Sequence, residues 1–239
     1  MMNRMIVAHQ FTTEPHPCAY LPERQATLEY SFAVSMAAQE YEDLMNSGYR
    51  KFGAAFFKTV CSGCVACRPV RIPVERFNPD RSQQRTWKKN LDLSVQIAAP
   101  SCDEQRLNLY NRYHEAQARL KGWPAQSSSR EEYFLSLVEN PVPSAEISVW
   151  EGSELRAAII CDLTPNVVSA VYHFHDPDHA ARGLGTFCIL NCIQLARALK
   201  KPWVYLGFHV SGCRSMEYKA RFRPLQIMDA DGNWADLPA

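Results

Sequence analysis

Val167-Val-Ser-Ala-Val-Tyr-His-Phe-His175 and, after Asp176-Pro177-Asp178, Arg182-Gly183-Leu184-Gly185-Thr186-Phe-Cys-Ile-Leu-Asn-Cys-Ile-Gln-Leu-Ala-Arg-Ala-Leu199 are the stretch that decides the fold. A β-rich run enters a Pro/Asp turn and leaves it, past two glycines, as an apolar segment long enough for a helix. Upstream, Glu146–Trp150 and Leu155–Leu163 are further β-rich runs. Glu151-Gly152-Ser153 and Thr164-Pro165-Asn166 separate them, so the three runs read as an antiparallel meander. Downstream come a strand over Trp203–Val210 and a basic helical segment over Ser211–Arg221. Towards the N-terminus, Leu28–Asn46 reads as a helix capped by Gly48, Phe52–Val60 and Val70–Val74 as strands, and Ser82–Leu91 and Ser101–Leu120 as helices around a strand at Leu93–Ile97. Gly122-Trp123-Pro124 to Ser129 reads as loop and Arg130–Val138 as a short helix. A domain boundary is expected near Pro100, dividing the chain into 1–100 and 101–239.

The 239 residues are 46% hydrophobic and 21% charged, a globular composition that excludes disorder and collagen-like repeats. The apolar runs, such as Leu155–Cys161, fall short of the ~20 residues that span a bilayer. Met1–Gln10 has one arginine and no long apolar core, so no secretory signal and a cytosolic chain are expected. Nine cysteines, an odd number, argue against a complete disulfide framework. Cys61, Cys64 and Cys67 form CSGCVAC on a turn between two extended segments. With Cys18 as a distant fourth, they suit zinc or an iron–sulfur cluster, or a reduced cysteine-rich turn. Positive charge is concentrated in two blocks. Arg68–Lys89 carries seven basic residues against Glu75 and Asp80, and Arg214–Arg223 carries four against Glu217, in a chain of formal net charge +1. Two such blocks on one face attract a polyanion; apart, they are solvated loops.

A meander, a glycine turn, a long helix and a further strand are the ingredients of the GNAT acyltransferase fold. The expected class is therefore α/β (α+β), with a GNAT-like C-terminal domain and a smaller cysteine-containing N-terminal one. In that fold the turn offers backbone N–H groups and a helix N-terminus to the pyrophosphate of coenzyme A, with an R/Q-x-x-G-x-G/A pattern. Gly183 and Gly185 fit, but the first position is Ala180. A G-x-G also serves as a turn that lets the helix pack closely.

Five N-terminal and central motifs carry a resemblance: Cys18-Ala-Tyr-Leu-Pro-Glu-Arg24, Gly48-Tyr-Arg-Lys-Phe-Gly53, Cys61-x-x-Cys64-x-x-Cys67-Arg-Pro-Val-Arg71, Phe77-Asn-Pro-Asp-Arg81 and Ser169-Ala-Val-Tyr172-His-Phe174-His-Asp176-Pro. Arg182-Gly-Leu-Gly185, Tyr205-Leu-Gly207 and Met216-Glu-Tyr218-Lys219-Ala-Arg-Phe222-Arg-Pro224 extend it. Together they resemble, in order and over nearly the whole chain, the bacterial aminoacyl-tRNA–protein transferases, within them the aspartate/glutamate leucyltransferases, relatives of the eukaryotic arginyltransferases. Arg50-Lys51, Lys88-Lys89, His173 with His175, and Gly183 depart from the expected pattern. The resemblance implies transfer of leucine from Leu-tRNA to the α-amine of proteins beginning with Asp or Glu, a signal for N-terminus-dependent degradation. It leaves open arginine as the amino acid moved. Gly183 keeps a coenzyme A-dependent N-acetyltransferase as the alternative. An iron–sulfur or zinc nucleic-acid-binding module would use the cysteines and basic blocks but leave the C-terminal domain unexplained.

An aminoacyl ester is already activated, so the reaction needs a neutral amine, a held carbonyl and a place for oxyanion charge, with no cofactor. An α-amine of pKa about 7.7–8.0 is partly neutral at pH 7, so a weak general base suffices. Candidates are Tyr172, His173, His175, Asp176 and Tyr205. Strand alternation puts His173 and His175 on one face and Tyr172 and Phe174 on the other. Arg68, Arg71 and Arg182 are candidates to read an acidic acceptor, since the guanidinium fork matches a carboxylate. Gly183, Gly185, Lys219 and Tyr218 are further substrate-binding candidates. Tyr205, Phe208 and Tyr218 can also stack on the terminal adenosine. Arg81, Arg85, Lys88 and Lys89 are expected to hold tRNA phosphates.

Overall fold

A computed structural model describes residues 6–122, 124 and 126–238; Met1–Met5, Ala239 and, in the expected loop, Trp123 and Ala125 lie outside the described residues. In chain order the elements are β1 (Ile6–Thr12), β2 (His16–Pro17), β3 (Gln25–Ala26), β4 (Leu28–Ser35), α1 (Ala38–Asn46), β5 (Arg50–Phe52), β6 (Ala55–Thr59), β7 (Cys67–Pro73), α2 (Arg81–Lys89), β8 (Ser94–Ala98) and α3 (Glu104–Lys121). There follow α4 (Arg130–Tyr133), β9 (Ser144–Glu151), β10 (Glu154–Leu163), β11 (Val167–His175), α5 (Leu184–Ala198), β12 (Trp203–Val210), β13 (Gln226–Met228) and β14 (Trp234–Asp236). The class is mixed α/β.

The expected meander is β9–β10–β11, antiparallel throughout, and it supplies three strands of an eight-stranded sheet of order β14-β13-β7-β12-β11-β10-β9-β8. Alternate residues of β10 go to opposite faces, as the period of a strand requires. Ala157, Ile159 and Cys161 join Leu184, Cys188 and Cys192 of α5 in one buried cluster, while Ala158 and Ile160 join Leu109 and Tyr110 of α3 in another. The sheet is thus covered on both sides. Cys161, Cys188 and Cys192 serve there as small apolar residues.

Strands from both sides of Pro100 share this sheet: β7 lies between β13 and β12, and β8 forms one edge. A second, antiparallel sheet of order β1-β4-β6-β5 packs with α1 against the first through Tyr41, Met45, Phe56, Val167 and Tyr205. Glu42 clamps the junction by accepting hydrogen bonds from the Thr164 hydroxyl (2.6 Å) and the Asn166 amide (2.9 Å). A buried Lys51–Asp162 ion pair at 3.3 Å does the same one strand away.

Three local expectations are corrected. Leu28–Asn46 is not one helix: Leu28–Ser35 is β4, and only Ala38–Asn46 is helical. Leu28, Tyr30, Phe32 and Val34 alternate with small or acidic residues, a period of two. Arg130–Val138 makes one α turn and then a π turn over Phe134–Val138. Of the basic segment Ser211–Arg221, only Glu217–Arg221 is helical, as a 3-10 turn.

Candidate functional site

β11 and β12 run parallel, yet they pair only at Val167–Trp203, Val168–Val204 and Ser169–Tyr205, beyond which no pairing joins them. Each carries a bulge where pairing stops. β11 inserts Val171 opposite β10, between the Cys161–Ala170 and Ile160–Tyr172 pairs. β12 places two residues, Leu206 and Gly207, opposite one residue of β7. A bulge re-aims side chains, and these two, one on the β10 side of β11 and one on the β7 side of β12, lie where the two strands part. Gly207 has φ of 77°, a conformation that L side chains rarely adopt.

His173 and His175 stand on one side of this opening, their rings stacked 5.8 Å apart. Tyr113 of α3 reaches both, at 4.9 Å from His175 and 6.0 Å from His173. Burial, with His175 and Lys219 adding to it, pushes the His173 imidazole down to about 4. His175 is likewise lowered by burial, and its buried Nδ1 has no hydrogen-bond partner. Both imidazoles are therefore neutral at pH 7. Lys219 is buried and donates to the Phe208 carbonyl at 2.6 Å; burial and the nearby Arg50 push its amine down to about 7. Tyr218 is pushed up to about 12 by burial, with Tyr113 close by.

The other expected base candidates are engaged elsewhere. Tyr172 faces α3, with its hydroxyl 2.8 Å from His114 Nε2. Asp176 is buried and accepts from Arg112 (2.8 Å), Arg156 (2.9 Å) and the Asp178 amide. Burial works to raise its pKa, but these donors together hold the carboxyl below the usual range. Tyr205 donates to Asn46 Oδ1 at 2.7 Å, behind the opening. The structure therefore brings His173, His175, Tyr218 and Lys219 together and leaves Tyr172, Asp176 and Tyr205 outside that group.

The three expected reading arginines already have protein partners. Arg68 donates to the Met228 carbonyl at 2.9 Å. The Arg71 guanidinium lies between Trp203 and Trp234, 3.6 and 4.1 Å from their ring centres, and donates to Gln226 and Tyr205. Arg182 is forked onto Asp92 at 2.6 and 3.0 Å, with Glu151 nearby.

The glycine turn also has a local explanation. Gly183 has φ of 69°, and a Cβ there would meet Thr86 at 3.3 Å. A Cβ at Gly185 would meet His173 Nε2 at 3.0 Å. Side chains of α2 and β11 thus fill the space beside both glycines.

The two basic blocks are adjacent: Gln83 of α2 donates to the Arg221 carbonyl at 3.0 Å. Arg81, Arg85 and Lys88 are exposed there, while Lys89 donates to the Ala181 carbonyl and Lys219 is buried. A cavity of about 290 Å³ between α2 and α5, lined by Phe77, Trp87 and Ile193, contains none of the opening's residues. A smaller one of about 170 Å³ is lined by Tyr113, His114, Gln117 and Tyr172.

The cysteine turn does not form a metal centre in this structure: among the described residues no group of three or more His, Cys, Asp or Glu side chains is arranged to hold an ion. Cys18 and Cys61 instead accept hydrogen bonds from the Leu21 and Thr27 amides. Burial, followed by the neighbouring Cys18, Cys61 and Cys64, pushes the Cys67 thiol up to about 12. The expected zinc or iron–sulfur ligation by Cys18, Cys61, Cys64 and Cys67 is thus not preformed.

Sequence reasoning missed Tyr113, Gly207 and above all Arg50, which is only 6% exposed beside the bulge of β12. The one signal for Arg50 was its place in the Gly48–Gly53 motif.

Residues 16–85 match the family model described as arginine-tRNA-protein transferase, N terminus, and residues 105–229 the one described as arginine-tRNA-protein transferase, C terminus. The chain is 36% identical over 228 residues to the aspartate/glutamate leucyltransferase of Hahella chejuensis, covering 95% of this chain and 96% of that protein. It is 39% identical to that of Pseudomonas savastanoi pv. phaseolicola, with the same coverage. Among solved structures it is similar to L-PGS from Bacillus licheniformis, at 13% identity and a TM-score of 0.49, covering 78% of this chain and 62% of that one. Among the described residues no helix is long and apolar enough to cross a membrane.

Proposed function

This chain belongs to the arginine-tRNA-protein transferase family, and from that membership we propose that it moves leucine from Leu-tRNA to the α-amine of proteins with N-terminal Asp or Glu. The supporting observation is the near-full-length similarity to relatives named aspartate/glutamate leucyltransferases. The product is a protein marked for N-terminus-dependent degradation, and the reaction belongs in the cytoplasm, where charged tRNA is found.

The parallel strands β11 and β12, parting after Ser169 and Tyr205, support a GNAT-like reading of the C-terminal half, with the acceptor amine in the opening. In the reaction the amine nitrogen attacks the ester carbonyl, a C–N bond forms, and the C–O bond to the tRNA ribose breaks. The proton lost by the amine goes to a neutral imidazole, and the departing ribose oxygen takes up a proton. His173 and His175 suit the first task because burial keeps them unprotonated at pH 7. Tyr218 is the candidate to stack on the terminal adenosine. Arg81, Arg85, Lys88 and Lys89 hold the acceptor arm in this reading. The ester supplies the activation, so no step runs through a metal or cofactor.

The coenzyme A alternative loses its support at Gly183 and Gly185, beside which Thr86 and His173 take up the space. An assay with Leu-tRNA, Arg-tRNA and acetyl-CoA against peptides beginning with Asp, Glu, Lys or Arg tests the reading. Leucine transfer to Asp and Glu peptides is expected; arginine transfer, acetyl transfer or a preference for Lys and Arg peptides overturns it.

A further inference from the structure

We propose that Arg50, with Lys219 beside it, forms the subsite that reads the side-chain carboxylate of the acceptor's first residue. This rests on the transfer proposed above. Arg50 and Lys219 are each only 6% exposed. The Arg50 guanidinium donates to the Tyr49 carbonyl at 2.6 Å and loosely to the Gly207 carbonyl at 3.5 Å, and it lies over the Phe208 and Tyr205 rings at 5.2 and 5.6 Å. Its Nε is buried without any partner. Lys219 has the Phe208 carbonyl at 2.6 Å and the Met216 sulfur at 3.2 Å. Neither cation forms an ion pair with a carboxylate among the described residues, whereas the neighbouring Lys51 does.

Two buried like charges without a counter-ion are costly, because desolvation and mutual repulsion both oppose them. Burial takes Arg50 down to about 10, and burial together with the nearby Arg50 takes Lys219 down to about 7. An incoming anion relieves both costs. Gly207 lies between the two: its carbonyl is the weak partner of Arg50, and a Cβ on it would come 3.7 Å from Lys219 Nζ. With no side chain at Gly207, only backbone stands between the two cations at this bulge. The planar fork of Arg50, with an unused N–H, matches a carboxylate in two-point geometry. A carboxylate is favoured over a tRNA phosphate because phosphate tracks are built from exposed cations, as on α2, and these two cations are buried.

The test compares kcat/KM for Asp- and Asn-initiated peptides, with Leu-tRNA as donor, in wild type, Arg50→Lys and Arg50→Gln. The ratio of the two values is independent of how much of each preparation is folded. The Asp-to-Asn ratio is expected to fall about tenfold or more in Arg50→Gln, with partial retention in Arg50→Lys. An unchanged ratio in both variants overturns the proposal. Equal loss on both peptides, with weaker tRNA binding, also overturns it and assigns Arg50 to the tRNA. If wild type itself shows no preference for Asp over Asn, it is the transferase specificity that fails, and the two failures are thereby distinguished.

Discussion

The imidazole of His173 occupies the space that a side chain at Gly185 would need, its Nε2 lying 3.0 Å from the position of a Cβ there. Gly185 is helical, so Gly185→Ala would otherwise stabilise α5 by about 0.5–1 kcal/mol. Here the methyl must displace His173. We expect Gly185→Ala to lower kcat between about 10- and 100-fold through misplacement of the ring, with little or no gain in Tm. On a His173→Ala background the same substitution should raise Tm and leave the residual rate unaltered. A double-mutant cycle read by thermal unfolding and single-turnover rate checks this; additive effects would sever the link between the two residues.

Arg71 and Arg182 should behave as structural residues. Arg71 sits between two tryptophan rings, and Arg71→Ala removes both contacts and the bond to Gln226, at a cost of about 1–3 kcal/mol in urea unfolding. Arg182→Ala releases Asp92, an exposed partner, and should cost about 1 kcal/mol or less. Both variants should keep the wild-type Asp-to-Asn ratio. A ratio that collapses in Arg71→Ala would place acceptor reading there instead of at Arg50.

Arg81, Arg85 and Lys88 lie exposed on α2, next to the segment that carries Arg221. If each meets one phosphate, replacing all three by alanine removes about three units of counterion release. The slope of log affinity against log salt should then shallow by about 2–3. Filter binding of Leu-tRNA between low and moderate salt measures it. Lys89 already has the Ala181 carbonyl, so Lys89→Ala should change the slope least. An unchanged slope in the triple variant would make α2 ordinary surface.

The local part of this fold was legible and the non-local part was not. β9–β11, α5 and β12 follow from alternation, turn residues and a long apolar run, each a pattern within about 15 residues. In Leu28–Asn46 the buried strand positions are the small residues Ser31 and Ala33, so an apolar alternation does not mark the buried face. Nothing local shows that Cys67–Pro73 pairs with Trp203–Val210, over a hundred residues away, or that this pairing buries Arg50 behind β12. The histidines were legible as candidates, but only the bulges and the open edge of β11 select them over Tyr172 and Asp176. Charge counting placed Lys219 on a basic surface, whereas its ammonium is turned inward to the Phe208 carbonyl.

Lys219 should make acceptor preference depend on pH. The groups facing it are Arg50 of β5, Cys67 of β7, His173 of β11, His209 of β12 and Cys213. Arg50 stays charged up to about 10, the Cys67 thiol stays protonated to about 12, and both histidines are lowered by burial. Lys219, at about 7, is therefore the amine that changes charge near neutrality. As pH rises from 6.5 to 8.5 the empty subsite loses a positive charge, and the Asp-to-Asn ratio of kcat/KM should fall. In Lys219→Met the ratio should start lower and stay flat, while a Cys213→Ser control should titrate like wild type. The sign for stability is the reverse. The unfolded lysine keeps its proton to about 10.4, so between pH 7 and that value the unfolded state binds more protons and folding is favoured as pH rises. Urea unfolding of wild type against Lys219→Met across pH 7–10 should show that slope in wild type only. A preference independent of pH, together with parallel stability curves for the two proteins, would mean that Lys219 keeps an ordinary lysine pKa and does not face the acceptor carboxylate.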